Sequence, residues 1–282
     1  MIWIAVAVAF WLGAWALNVV LVARAGHRRW VQILVPALFG LALLGLWEGL
    51  VHGLQVSPVT LPAPSEVGAE IAGSWRVLWG DVVQTVLKGA VTGYVIGCSA
   101  AILVAILIDR SDLLRRGLLP LGSFMAALPV VGIAPILVMW FGFDWQSKAA
   151  VVVVMVFFPV LVNAVAGLAA ASAMQRDLMA TYGASWTQSL LRLRLPAAMP
   201  FLFNGLKIAT TLALIGAIVA EFFGSPTAGM GFRIQASVGK FQLALTWAEI
   251  AVAALAGTAF YGLVALIEAR VTFWHPSQRG RG

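Results

Sequence analysis

Asp177-Leu-Met-Ala-Thr-Tyr-Gly-Ala-Ser-Trp-Thr-Gln-Ser-Leu-Leu-Arg-Leu-Arg-Leu-Pro196 is a polar island in a chain that is otherwise almost entirely apolar. Leu178, Tyr182, Trp186 and Leu190 recur at spacing four, which predicts one face of a helix. Gly183 interrupts that helix, Ser185 is placed to cap a second short one, and Pro196 is expected to block its continuation. The island therefore predicts a helix–turn–helix on a membrane surface over about 173–199. Its apolar face fits either lipid and the helix bundle or the groove of a partner.

The flanks decide the fold class. Of 282 residues, 62% are apolar and 10% charged, against roughly a quarter charged in soluble domains. The net charge of +7 sits in short clusters between apolar runs, which suits anionic lipid headgroups and excludes nucleic acid as the expected partner. Seven spans are expected, at about 2–23, 31–53, 82–108, 118–142, 149–172, 200–223 and 246–268. The chain is thus predicted to be an all-α polytopic membrane protein.

Charge orients it. Arg24, Arg28, Arg29, Arg110, Arg115, Arg116, Arg176, Arg192, Arg194, Arg270, Arg279 and Arg281 fall on the side of the island. Only Arg76, Lys148, Arg233 and Lys240 fall on the other. The positive-inside rule makes the first side cytoplasmic, with the N-terminus outside and the C-terminus inside. The first run has its positive charge after it rather than before it, the reverse of a signal peptide, so it is expected to be a retained span. Lys88 and Lys207 lie just inside span ends, within snorkelling reach of water.

Gly89, Gly93, Gly97, Ala101 and Ala105 recur every fourth residue of the third span. Such a stripe lets another helix approach closely, as ordinary packing requires. Pro120, Pro129 and Pro135 interrupt the fourth span, which reads equally as a cavity-lining helix and as a kinked packing helix. Glu48, Glu221 and Glu249 fall within or near span ends. Glu221 reads either as a polar group beside a solute path or as an ion pair or backbone cap holding the outer segment 224–231. The other two are expected to snorkel or pair. Segment 224–234 is Gly-rich and is expected to form a re-entrant loop or short outer helix.

Several classes of chemistry have no support. No phosphate-binding Gly-x-x-x-x-Gly-Lys-Ser/Thr loop occurs, so nucleotide hydrolysis would fall to another chain. His27, His52 and His275 are scattered, no metal-ligand spacing is present, and Cys98 in an apolar run is expected to be a packed, inert thiol. No nucleophile–base pair is discernible. A self-contained secondary transporter or channel is the rival class; it would be supported by internal repeats, and none is evident.

The island resembles the EAA loop of permease subunits from binding-protein-dependent ABC importers. Asp177 stands for the acid, Gly183 follows six residues later, and Leu193-Arg-Leu-Pro196 ends the pattern. Leu178 and Met179 replace its two small residues. Leu61-Pro-Ala-Pro64, Thr85 with Gly93-Tyr94, Pro135 with Trp140-Phe-Gly142, Ala220-Glu221 and Gly229-Met-Gly-Phe232 are similar to the nitrate/sulfonate/taurine branch. The additional first span resembles a subgroup importing thiamine-precursor pyrimidines or riboflavin.

The resemblance implies a type I, MetI-like importer fold, with residues 1–60 as two accessory helices and 61–282 as a five-helix core. It implies that Asp177, Leu178, Met179, Tyr182, Gly183, Ala184, Ser185 and Pro196 form a coupling helix docked on a cytoplasmic ATPase subunit, where ATP and Mg²⁺ are bound. Pro135, Trp140 and Glu221 would lie along the solute path, and Gly89, Gly93 and Gly97 would pack helices. A periplasmic solute-binding protein and a second copy of the chain complete the implied assembly in a bacterial inner membrane. The cargo would be a pyrimidine or riboflavin, or else a sulfonate-, taurine- or nitrate-type anion.

Overall fold

The computed structural model describes residues 2–26, 28–110, 129–224 and 227–274. Among these every regular element is helical. The helices are α1 (Ile2–Ala25), α2 (Arg29–Gly53), α3 (Pro64–Gly73), α4 (Trp75–Asp109), α5 (Val130–Phe141), α6 (Trp145–Leu168), α7 (Ala173–Thr181), α8 (Trp186–Phe223), α9 (Met230–Gly239) and α10 (Leu243–Val271). Six of them, α1, α2, α4, α6, α8 and α10, are long and apolar enough to cross a membrane. α5 is apolar but shorter. The expected fourth span, 118–142, is thus represented by α5 alone; its first part, with Pro120, lies outside the described residues.

Two spans begin earlier than their apolar runs. α4 starts at Trp75, not near 82, because Asp81 is satisfied inside the protein and need not sit in a loop. α8 starts at Trp186 and runs through Pro196, where the sequence predicted a break. The reason is a π-helical turn, Leu190–Arg194, in which the Leu195 amide donates to the Leu190 carbonyl, five residues back. That widened register carries the chain past the proline, which has no amide to contribute. α4 carries a second π-helical stretch at Val83–Val91.

The chain falls into two compact units. One comprises Met1–Leu78 and Ile234–Ala251, the other Trp79–Arg233 and Val252–Gly282. In the first, α1 packs along α2 where small residues permit it: a Cβ on Gly45 would lie 2.8 Å from the Phe10 ring. Glu48 reaches the start of α3, accepting from the Ser65 amide (2.9 Å) and hydroxyl (2.6 Å) and pairing with His52 at 2.9 Å. It thus tethers the Pro-rich loop. Trp47 lies against Trp247, ring centroids 5.0 Å apart. Glu249, expected near an interface, is fully buried.

In the second unit α4, α6 and α8 pack together. Their shared core is made of small and β-branched residues, among them Ala101, Ala105, Val152, Val156, Ala209 and Ala213. Cys98 is one of its buried members. The glycine stripe of α4 lies on α6. A Cβ on Gly93 would come 2.5 Å from Val152 Cβ and 2.7 Å from the Ala149 carbonyl; one on Gly97 would come 2.5 Å from Val156 Cγ2. Gly89 faces Lys148 Cβ and Ala217. Overpacking a fitted contact costs about 1–3 kcal/mol. Gly93→Ala should therefore lower thermal stability in detergent by about that amount. Gly73→Ala, where no atom lies within 4 Å, should leave it nearly unchanged.

Candidate functional site

The island has a defined local architecture. Ser172 caps α7: its hydroxyl accepts from the Gln175 amide (3.2 Å), and the Gln175 side chain accepts from the Ser172 amide (3.0 Å). Ser185 and Gln188 repeat the arrangement at the start of α8, at 3.3 and 2.8 Å. These reciprocal capping boxes satisfy amides that a helix start leaves open. Between them Gly183 adopts φ +68°. The Gly183 amide donates to the Ala180 carbonyl (2.9 Å) and the Ala184 amide to that of Met179 (3.0 Å). That pair of bonds is a Schellman turn, for which glycine is the favoured residue.

The result is a short helix held apart from the bundle. None of its residues is buried. Leu178 is 56% and Tyr182 81% exposed, and Asp177 is exposed beside them. The left-handed turn splits the spacing-four face. Leu190, on the far side of the turn, is buried, and Trp186 is exposed with the Arg110 guanidinium 5.5 Å from its ring centre. Met179, Ala184 and Ser185 are otherwise at the surface or half-buried, and Pro196 lies within α8.

Arg194, the last residue of the π-turn, ties three helices together. Its guanidinium pairs bidentately with Asp109 at the end of α4 and donates to the Leu168 carbonyl, the last residue of α6, at 3.1 Å. A planar fork serves both acceptors and a lysine cannot. Arg194→Lys should cost about 1–3 kcal/mol, the range for hydrogen bonds to charged groups. Arg194→Lys paired with Asp109→Asn should cost less than the sum of the two, and thermal unfolding of the four proteins checks it.

A second polar cluster lies at the opposite end of α8. Glu221 is 1% exposed. It accepts from the Thr85 hydroxyl, at 2.8 and 2.9 Å to its two oxygens, and from the Gly231 amide at 2.8 Å. Thr85 accepts from the Met230 amide (2.8 Å) and Asp81 from the Gly229 amide (2.6 Å). Asp81 also binds Arg233, 2.7 Å from Nε. Three side chains thus hold the N-terminal amides of α9, where the helix dipole favours negative charge. Gly229 has φ +129°, and a Cβ there would meet the Glu221 carboxylate.

Lys148 belongs to the same cluster. It was expected in a solvated outer turn but lies in α6, 1% exposed, its ammonium donating to the carbonyls of Phe143 and Gly224. Counting loop charges misplaces it, because a lysine flanking an apolar run looks the same whether it turns outward or inward. Pro135 and Trp140, on α5, are exposed, Trp140 at 72%. On α5 they flank the buried stripe of Ala134, Leu137 and Val138, one on either side. Lys88 is exposed on α4, and Lys207 pairs with Glu268 at 2.6 Å rather than reaching for water. His52 pairs with Glu48; His27 and His275 lie outside the described residues.

Several known proteins are similar to this chain over most of its length. The formylaminopyrimidine transport permease of Halalkalibacterium halodurans is 30% identical over 89% of this chain and 100% of its own length. The taurine transport system permease of Escherichia coli is 30% identical over 83% and 86%, respectively. The riboflavin transport system permease of Chloroflexus aurantiacus is 29% identical over 83% and 88%. Residues 93–273, which hold the α7–Gly183 turn and the C-terminal part of α4, match the family model of binding-protein-dependent transport system inner membrane components. With its spanning helices and these full-length relatives, the chain belongs to the family of binding-protein-dependent transport system inner membrane components, as an ABC transporter permease.

Proposed function

We propose that this permease forms the solute path of an ATP-driven importer and docks a separate ATPase subunit through the island 173–199. The observation that carries the proposal is α7: a rigid knob, capped at both ends, with Leu178 and Tyr182 exposed. Exposed apolar side chains on a short, rigid helix are what a partner's groove receives. Asp177, Met179, Gly183, Ala184 and Ser185 complete the docking surface, and Pro196 marks where it passes into the span. ATP and Mg²⁺ belong to the partner; this chain holds no cofactor of its own.

In this reading the island is cytoplasmic and the N-terminus lies outside. A second copy completes the pathway and a periplasmic binding protein delivers the solute. Residues 1–60 are accessory helices added to a core of 61–282. The names of the formylaminopyrimidine and riboflavin permeases support a small heteroaromatic solute, and that of the taurine permease a sulfonate. The experiment is purification of the tagged chain in mild detergent from its native membrane. An ATPase subunit in stoichiometric amount is expected, lost on Tyr182→Asp. A preparation free of any ATPase subunit would overturn the proposal.

A further inference from the structure

One face of α8 is polar where a membrane helix should be apolar. Asn204 and Thr211 are exposed, on the same helix face as the half-exposed Ile208. Together with Lys207, Leu212 and Tyr261 of α10 they line a single concavity. Its depth follows from the chain. Lys207 is thirteen residues past Arg194 and fourteen before Glu221. At about 1.5 Å per residue it lies about 20 Å from each polar cluster. A hydrocarbon core of about 30 Å fits between those clusters, and Glu268, the partner of Lys207, stands three residues before the end of α10, so the concavity lies within the membrane in the half toward that end. Amides and hydroxyls at that depth face water or a polar path, not lipid.

The chemistry of the concavity is specific. Asn204 donates one hydrogen to Asn163 Oδ1 (3.1 Å), and Asn163 in turn donates to the Pro159 carbonyl (2.8 Å). The Asn204 amide is thereby oriented, with its carbonyl and second N–H open to a ligand. Thr211 adds a hydroxyl, and Tyr261, 45% exposed, adds a ring face and a phenol. The one cation, Lys207, is held by Glu268 at 2.6 Å. That pair contributes no net charge.

We propose that Asn204, Thr211 and Tyr261 form a solute-contact site within this half of the membrane for an uncharged, planar, hydrogen-bonding solute of the aminopyrimidine class. The Lys207–Glu268 pair keeps the site neutral and so disfavours anions. The proposal rests on the importer reading and names the cargo class.

The test reads the site directly. Single cysteines replace Asn204, Thr211 and Leu255 in a Cys98→Ala background. The complex with its ATPase, in nanodiscs, is treated with cationic and anionic methanethiosulfonates. N204C and T211C should react at least about tenfold faster than L255C, because only a hydrated thiol ionises. Neither reagent charge should be preferred. Adding Glu268→Gln to T211C should raise the anionic-to-cationic rate ratio by about tenfold, and Lys207→Gln should lower it similarly. A variant that merely loosens the fold cannot give both signs. Formylaminopyrimidine should protect T211C, and nitrate should not.

Three results overturn the proposal. Residues 204 and 211 reacting no faster than 255 would mean that lipid or a second copy covers the face. An unchanged rate ratio in both charge variants would remove the role of the pair. Protection by nitrate equal to that by formylaminopyrimidine would remove the solute class. Co-purification of the ATPase decides the importer reading separately.

Discussion

Glu221→Ala will destabilise the protein by about 3–5 kcal/mol, the cost of removing one partner from a buried charged cluster. Three groups lose an acceptor or counter-charge, and a fourth is affected through one of them. The Thr85 hydroxyl and Gly231 amide lose hydrogen bonds of 2.8 Å, and Lys148 loses the carboxylate with which it interacts electrostatically. The Met230 amide, held through Thr85, loses the fixed position of its acceptor. Burial makes each loss expensive, since no water replaces the missing group. Glu221→Gln retains a carbonyl for Gly231 and should lose about half as much. Thr85→Val should partly overlap with Glu221→Ala, giving a sub-additive pair. Thermal unfolding in detergent checks all four; a Glu221→Ala protein within about 1 kcal/mol of the parent would refute the cluster as a structural lock.

Gly183→Val will uncouple transport from ATP hydrolysis without hindering membrane insertion. At φ +68° a left-handed conformation costs an L-residue about 1–2 kcal/mol, and a β-branched one more. No neighbour lies within 4 Å of a Cβ at this position, so the strain is conformational rather than a clash. The relief is local: the Schellman bonds from Gly183 and Ala184 open, and α7 swings relative to α8. A coupling helix transmits motion only while rigidly joined to its span. Transport per ATP hydrolysed should fall by about tenfold, corresponding to about 1.4 kcal/mol of lost coupling. Gly183→Asn, which tolerates the left-handed region, should retain most of the transport. Equal transport by the Val and Asn variants would contradict the account.

Membership in the family makes this chain a membrane component of a transporter and not an enzyme. Much of that was legible from residues alone. Apolar runs located the spanning helices, and Gly183 and Ser185 marked a turn and a cap inside the island, because local backbone chemistry dictates both. What escaped depends on register or on long-range pairing. The π-turn at Leu190–Arg194 has no compositional mark, so Pro196 read as a stop. Asp109 and Arg194 are 85 residues apart, and each alone resembles an ordinary interfacial charge. Lys148 and Asp81 flank apolar runs, where loop charges usually sit. Glu268 drew no attention because it lies near the end of a span, and its partner Lys207 is two helices earlier, on α8.

The central claim is that α7 is the surface on which an ATPase subunit docks. A photo-cross-linking residue placed at Tyr182, and separately at Leu103 on the exposed apolar face of α4, tests it in native membranes. The account predicts a cross-link from position 182 to a cytoplasmic ATPase subunit and none from position 103. No ATPase adduct from position 182, or adducts of equal yield from both, would contradict it.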